Sequence, residues 1–314
     1  MNIQQDTAPL LNQLAGVPGG GKAHWLKTAD GTRLRIAIWN GGAKGTVLLF
    51  PGRTEYIEKY GPVVSRLTGW GLNAVVIDWR GQGLSDRPIS GKSIGFVENF
   101  AEYQDDLLTV LEADPVKALP DPRFVFCHSM GGCIALRALI DGLDVKAAVF
   151  SAPMYGIQVP LEAASKALIS LGPSLGLGRS FAPGSGNHTY VSTVDFRDNV
   201  LTSDEPTFRR LQDHAKLAPE LCLGGASFRW LHSAFREMAE LESLPPPTVP
   251  SLTFLGDKER IVSPSMIRKL ATRDANSELV ICPGAEHEIW MERPEIQAPV
   301  WEKTRAFLAP WLDD

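Results

Sequence analysis

Phe124-Val125-Phe126-Cys127-His128-Ser129-Met130-Gly131-Gly132, FVFCHSMGG in one-letter code, sets a single serine between an apolar run and a pair of glycines. An apolar run without alternation reads as a strand buried on both faces, and the small residues beyond Ser129 read as the start of a closely packed helix. A strand that turns at once into a helix holds the residue at the turn up at the edge of the sheet. The backbone there is strained and only small neighbours fit, which gives the pattern G-x-S-x-G. Here the five positions are Cys127, His128, Ser129, Met130 and Gly131, so a cysteine replaces the first glycine. Its Cβ and sulfur predict that the neighbouring helix stands slightly back.

Similar runs recur on both sides of this one: TVLLF at 46–50, NAVVID at 73–78, KAAVF at 146–150, SLTFL at 251–255 and ELVIC at 278–282. Between them, EYIEKYGPVVSRLTGWG, ENFAEYQDDLLTVLEAD and GGCIALRALIDG have helical spacing, and a closing helix is predicted over PEIQAPVWEKTRAFLAPWL. Residues 25–40 read as a hairpin turning at Ala29-Asp30-Gly31. Alternating strands and helices predict an α/β fold with a mostly parallel central sheet flanked by helices. From Tyr155 to Pro250 no buried strand is legible, and the Leu- and Ala-rich pieces predict a helical insertion over the carboxyl ends of the strands, where open α/β sheets bind ligands. The expected organisation is an N-terminal extension over 1–22, a core over 23–154 and 248–314, and a helical cap over 155–247.

Composition narrows the class. The 314 residues are 44% hydrophobic and 21% charged with a net charge of −5, which gives no reason to expect a nucleic-acid partner. No secretory signal and no spanning segment are legible, and Cys127, Cys133, Cys222 and Cys282 show no metal-ligand spacing, so a cytoplasmic protein without disulfides is expected.

A serine hydroxyl becomes nucleophilic only beside a base that is itself oriented by an acid, and in this architecture the chain order is serine, acid, histidine. Of six histidines only His287, in CPGAEHEIWMERPE, follows the last predicted strand. The acid should follow the penultimate strand, where FLGDKERIVSP offers Asp257 and Glu259. The usual phrase is glycine, two variable residues, the acid, one spacer and two aliphatics. Counting from Gly256 favours Glu259, with Ile261 and Val262 as the aliphatics. Acyl transfer also needs backbone donors for an oxyanion, for which the Met130 and Arg53 amides are the candidates.

PGRTEYIEKYGPVVSRLTGWGLNAVVIDWRGQGLSD, HSMGG, FSAPMYGI, NVLTSD and GAEHEIWMERPE together resemble the α/β-hydrolase superfamily, and within it the monoacylglycerol lipase and bacterial lysophospholipase group. Pro51-Gly52 stands where that group often has His-Gly. The resemblance implies a serine esterase acting on single-chain acyl esters, with an apolar cap, no cofactor and no metal. It leaves transient contact of the cap with the inner membrane face as an expectation. Two rivals stay open on sequence. One is an aminopeptidase or amidase, anchoring a free amine on a cap acid such as Glu162, Asp195, Asp204 or Glu205. The other is an inactive protein that only binds a small molecule.

Overall fold

The computed structural model describes residues 7–312 apart from 92, 160 and 274. Nine strands form one sheet: β1 (Thr7–Ala8), β2 (Lys22–Lys27), β3 (Arg33–Trp39), β4 (Thr46–Phe50), β5 (Asn73–Asp78), β6 (Arg123–His128), β7 (Ala147–Ser151), β8 (Ser251–Gly256) and β9 (Ser277–Cys282). Their spatial order is β1-β2-β3-β5-β4-β6-β7-β8-β9. Strands β1 to β3 run antiparallel and pair onto β5, and the strands from β5 across to β9 are parallel. The apolar runs in the sequence become these parallel strands almost residue for residue, because β4, β5 and β7 are buried along their whole length. The N-terminal stretch joins the sheet at its edge. Its residues 1–6 lie outside the described residues, but Thr7 and Ala8 pair with His24 and Ala23, so the stretch supplies an edge strand to the sheet.

The helices are α1 (Asn12–Ala15), α2 (Gly61–Gly69), α3 (Glu102–Leu111), α4 (Asp114–Lys117), α5 (Met130–Ile140), α6 (Glu162–Leu171), α7 (Glu205–Leu217), α8 (Phe228–Ser243), α9 (Pro264–Ala271) and α10 (Pro294–Leu312). The segment between β7 and β8 carries α6, α7 and α8 and, among its described residues, no strand of the sheet. It is tied to the core by side chains. Ser233 accepts from the Phe100 amide at 2.7 Å, Glu237 pairs with Arg137 at 2.7 Å, and Trp230 donates to the Tyr103 hydroxyl at 3.2 Å. The stretch Asn199–Asp204, NVLTSD in the sequence, clasps the loop after β9. Thr202 Oγ1 donates to the Met291 carbonyl at 2.9 Å, and the Glu288 amide donates to the Leu201 carbonyl at 2.7 Å.

Strand order places the site. From β4 the chain crosses to β5 on one side and then to β6 on the other, so β4 and β6 meet at the topological switch point, where open sheets bind ligands beyond the strands' carboxyl ends. Phe50 and Cys127 are register partners, and so are Gly256 and Cys282. The loops that follow these four residues carry every predicted site residue.

Candidate active site

Ser129 sits at the turn from β6 into α5 with φ 50° and ψ −118°, a conformation that costs an L-residue about 1–3 kcal/mol and persists only when its surroundings impose it. Two backbone hydrogen bonds do so: the Ser129 amide donates to the Ser151 carbonyl at 3.1 Å, and its carbonyl accepts from Met154 at 2.8 Å. Gly131 is required by close approach, since a Cβ there would lie 2.0 Å from the Phe50 carbonyl oxygen. Helix α5 therefore does not stand back from β4 as the cysteine suggested. Cys127 fits because its thiol lies toward β7, 3.5 Å from the Val149 carbonyl, and burial pushes it well above the ordinary thiol range, which keeps it neutral.

His287 and Glu259 come together from the loops after β9 and β8. His287 Nδ1 lies 2.7 Å from Glu259 Oε2, with both residues buried. Glu259 Oε1 accepts from the Ile261 and Val262 amides at 2.7 and 3.0 Å, which explains why two aliphatics follow the acid: they turn the backbone onto it and seal it. Burial works to raise the carboxyl's pKa. The charge and hydrogen bond of His287, with the two amides, outweigh it and hold the group below its ordinary value. Asp257 is exposed and accepts instead from the Gly284 amide at 2.8 Å. Gly256 lets the His287 loop cross close by, since a Cβ there would meet the Ala285 carbonyl at 2.3 Å.

The loop after β4 is pinned from beneath. Trp79 donates to the Pro51 carbonyl at 3.1 Å, Gln82 donates to the Gly52 carbonyl at 2.9 Å and accepts from the Thr54 amide at 2.7 Å, and Glu55 accepts from the Gly52 amide. Thr54 is thereby held at φ 66°. Between two engaged amides, the Arg53 amide has no acceptor among the described residues. Met130 is the first residue of α5, where a backbone N–H has no intrahelical acceptor. Both amides predicted to face an oxyanion are thus without an acceptor among the described residues.

Sequence reasoning missed what lies under this loop. Glu55 and Glu288 both bind the Lys59 ammonium, Tyr60 donates to Glu55 at 2.5 Å, and His128 Nε2 lies 3.6 Å from a carboxylate oxygen of each acid. All five side chains are buried. Burial alone would lower the His128 pKa, but Glu288 and Glu55 outweigh it and raise it; burial would raise that of Glu288, but Lys59 and His128 hold it well below the carboxylate range. Glu55, His128 and Glu288 have metal-ligand chemistry, with their ligand atoms within 4.8 Å of one another, yet Lys59 already supplies the positive charge between the two acids. The cluster links the Gly52 amide, through Glu55, to Glu288, the residue next to His287. His128, set aside in the sequence as facing away from the elbow, packs its ring against that of His287, centroids 4.6 Å apart and planes tilted by 58°. The Glu55–Lys59 spacing of four residues was the available signal.

Removing one partner of such a cluster leaves an uncompensated buried charge. Lys59→Met is therefore expected to destabilise the protein by about 3–5 kcal/mol, read from urea unfolding. A loss below about 1 kcal/mol would show that the two acids are not held charged in the fold.

Ser129 and His287 open into one cavity of about 380 Å³ beneath the segment between β7 and β8, lined further by Ile157, Val191, Val200, Leu201, Leu211 and Leu231. Among the described residues the acids lining it are Glu55 and Glu288, both paired with Lys59. Of the other acids named as amine anchors, Asp204 caps α7 by accepting from the Thr207 amide, Glu205 pairs with Arg209 at 2.6 Å, and Asp195 is exposed and does not line the cavity. The Glu162 side chain lies outside the described residues.

Residues 41–294 match the family model described as serine aminopeptidase, S33, which covers most of the chain. The chain belongs to this family. It is 27% identical over 264 residues to a probable lysophospholipase L2 of Haemophilus influenzae, covering 83% of each chain. It is 26% identical over 278 residues to a monoacylglycerol lipase of Mycolicibacterium smegmatis, covering 86% of this chain and 91% of that one. Its fold matches that of a soluble variant of monoglyceride lipase from Saccharomyces cerevisiae, solved with a substrate analog, at a TM-score of 0.71 and 20% identity over 99% of this chain and 98% of the other. The resemblance read from the sequence is borne out: the protein is a serine hydrolase with the α/β-hydrolase fold, related to lysophospholipases and monoacylglycerol lipases.

Proposed function

We propose that the protein hydrolyses single-chain acyl esters through an acyl-enzyme on Ser129. The observation that carries this is the His287–Glu259 pair at 2.7 Å, opening with Ser129 into one predominantly apolar cavity beneath the helical segment between β7 and β8. We read that segment as a cap. In the proposed mechanism His287, held by Glu259 with its proton on Nδ1, takes the Ser129 proton on Nε2 while Oγ attacks the ester carbonyl. The Arg53 and Met130 amides receive the oxyanion. Collapse expels the alcohol, which leaves with the proton from Nε2. Water, deprotonated by the same nitrogen, then releases the fatty acid and restores Ser129.

An apolar cavity favours an acyl chain by about 0.8 kcal/mol for each methylene buried. The rival aminopeptidase reading, which the family description would suggest, needs a carboxylate free to take a substrate amine, and the acids lining the cavity are already paired with Lys59. An inactive binding protein has no use for a buried, oriented histidine beside a strained serine. Contact with a membrane surface fits Leu161, Leu168, Leu171, Leu175 and Leu177, which are exposed on and around α6. No helix among the described residues is long and apolar enough to cross a membrane.

Initial rates on monoacylglycerols, single-chain phospholipids and aminoacyl anilides, free and with vesicles, test the reading. The monoacyl lipids are expected to show the highest kcat/KM, and vesicle-borne substrate to be cleaved faster than the same lipid held free. Faster cleavage of an anilide than of every lipid would overturn the ester reading, and indifference to vesicles would remove the membrane contact.

A further inference from the structure

Arg53 carries a charge that no carboxylate among the described residues balances. Its guanidinium lines the cavity, donates from Nη1 to the Gly224 carbonyl at 3.0 Å, and lies over Trp230, 5.4 Å from the ring centroid. The fully buried arginines are paired, Arg35 with Glu58 and Asp78 and Arg80 with Asp106. Arg53 is half-buried, as are Arg87 and Arg210, whose guanidinium groups donate to carbonyl oxygens, but of these three only Arg53 lines the cavity. Among the described residues Arg53 has no carboxylate within ion-pair distance and no further acceptor for its remaining donors. Burial lowers its pKa to about 10, opposed only by Tyr103. The second cation lining the cavity, Lys59, is already taken up by Glu55 and Glu288. A desolvated cation without a partner is costly, and the cost disappears when a ligand brings the anion.

Position says which anion. A Cβ on Gly52 would lie 3.1 Å from that of Ser129, so the Arg53 main chain stands beside the nucleophile, while its side chain reaches Gly95, Gly224 and Trp230. Ser129 and the Arg53 guanidinium line the same cavity, so a substrate with its ester at Ser129 can present a polar group to the guanidinium. In a single-chain glycerophospholipid the group beyond the glycerol unit is a phosphate, which the planar guanidinium fork matches. We propose that the Arg53 side chain is the headgroup subsite, binding the phosphate of a single-chain glycerophospholipid whose acyl ester lies at Ser129. This rests on the ester-hydrolase reading above. A monoacylglycerol would leave the charge unmatched, and a site built around a charged hydrogen bond discriminates against ligands that lack the partner.

The test is the ratio of kcat/KM for a 1-acylglycerophosphocholine to that for the monoacylglycerol of the same chain. In Arg53→Gln, which keeps the backbone amide, this ratio is expected to fall about 10- to 100-fold, and Arg53→Lys to recover part of it. An equal loss on both substrates, or none, would overturn the subsite while leaving ester hydrolysis standing. Cleavage of neither lipid by the wild type would overturn both. A second measurement needs no variant: sn-glycerol 3-phosphate should inhibit wild-type hydrolysis of p-nitrophenyl butyrate more strongly than glycerol or inorganic phosphate. Equal inhibition by glycerol and its phosphate would refute a phosphate site. Inorganic phosphate acting as strongly as glycerol 3-phosphate, with an unmoved lipid ratio in Arg53→Gln, would mean a general anion site and would refute the headgroup assignment.

Discussion

Ser129→Ala is expected to lower kcat for any acyl ester by about 10⁶-fold and to abolish labelling by a fluorophosphonate. Fold should survive, because alanine keeps the Cβ at φ 50° and the backbone bonds to Ser151 and Met154 do not involve the hydroxyl. Ser129→Gly separates chemistry from strain. It removes the same nucleophile but relieves a positive φ that glycine adopts without steric cost, so it should melt higher than Ser129→Ala by an amount worth about 1 kcal/mol. Labelling that persists in either variant would refute the nucleophile assignment. Equal melting of the two would mean that the elbow is less strained than its dihedral angles imply.

The fold was legible wherever burial dictated residue type. TVLLF, NAVVID and SLTFL carry no polar alternation because both faces of these strands are covered, so composition alone marked them as parallel strands. Edge strand β1 escaped because a two-residue pairing leaves no period to read. The site was legible where a pattern constrains spacing: an elbow needs Gly131, and the usual phrase counted from Gly256 favoured Glu259, whose carboxylate accepts from the amides of the two aliphatics that follow the acid and its spacer. The Glu55–Lys59–His128–Glu288 cluster was not legible, because it joins residues 229 positions apart that only the sheet brings together. The same holds for Arg53. A lone arginine reads as a solvated surface charge until the structure shows it in the cavity over Trp230, with no acid paired to it among the described residues.

Glu259→Gln is expected to lower kcat by about 10⁴-fold with little effect on KM or on the fold. The side-chain carbonyl can keep accepting from the Ile261 and Val262 amides, which turns the new NH₂ group toward His287 Nδ1. An NH₂ donor there requires Nδ1 to be an acceptor, so the ring proton moves to Nε2. A protonated Nε2 cannot take the proton of Ser129, and the imidazolium that forms during attack has lost its counter-charge. Asp257→Asn supplies the control within the same loop. Its carboxylate is exposed and accepts from the Gly284 amide, a bond that an asparagine oxygen can keep, so the remaining effect is a screened change of field worth less than about tenfold in rate. Steady-state kinetics on the two single variants decide between the acids. A collapse in Asp257→Asn beside near-normal Glu259→Gln would mean that His287 exchanges its partner when substrate binds, because the 2.7 Å contact with Glu259 would then not be the one that orients the base.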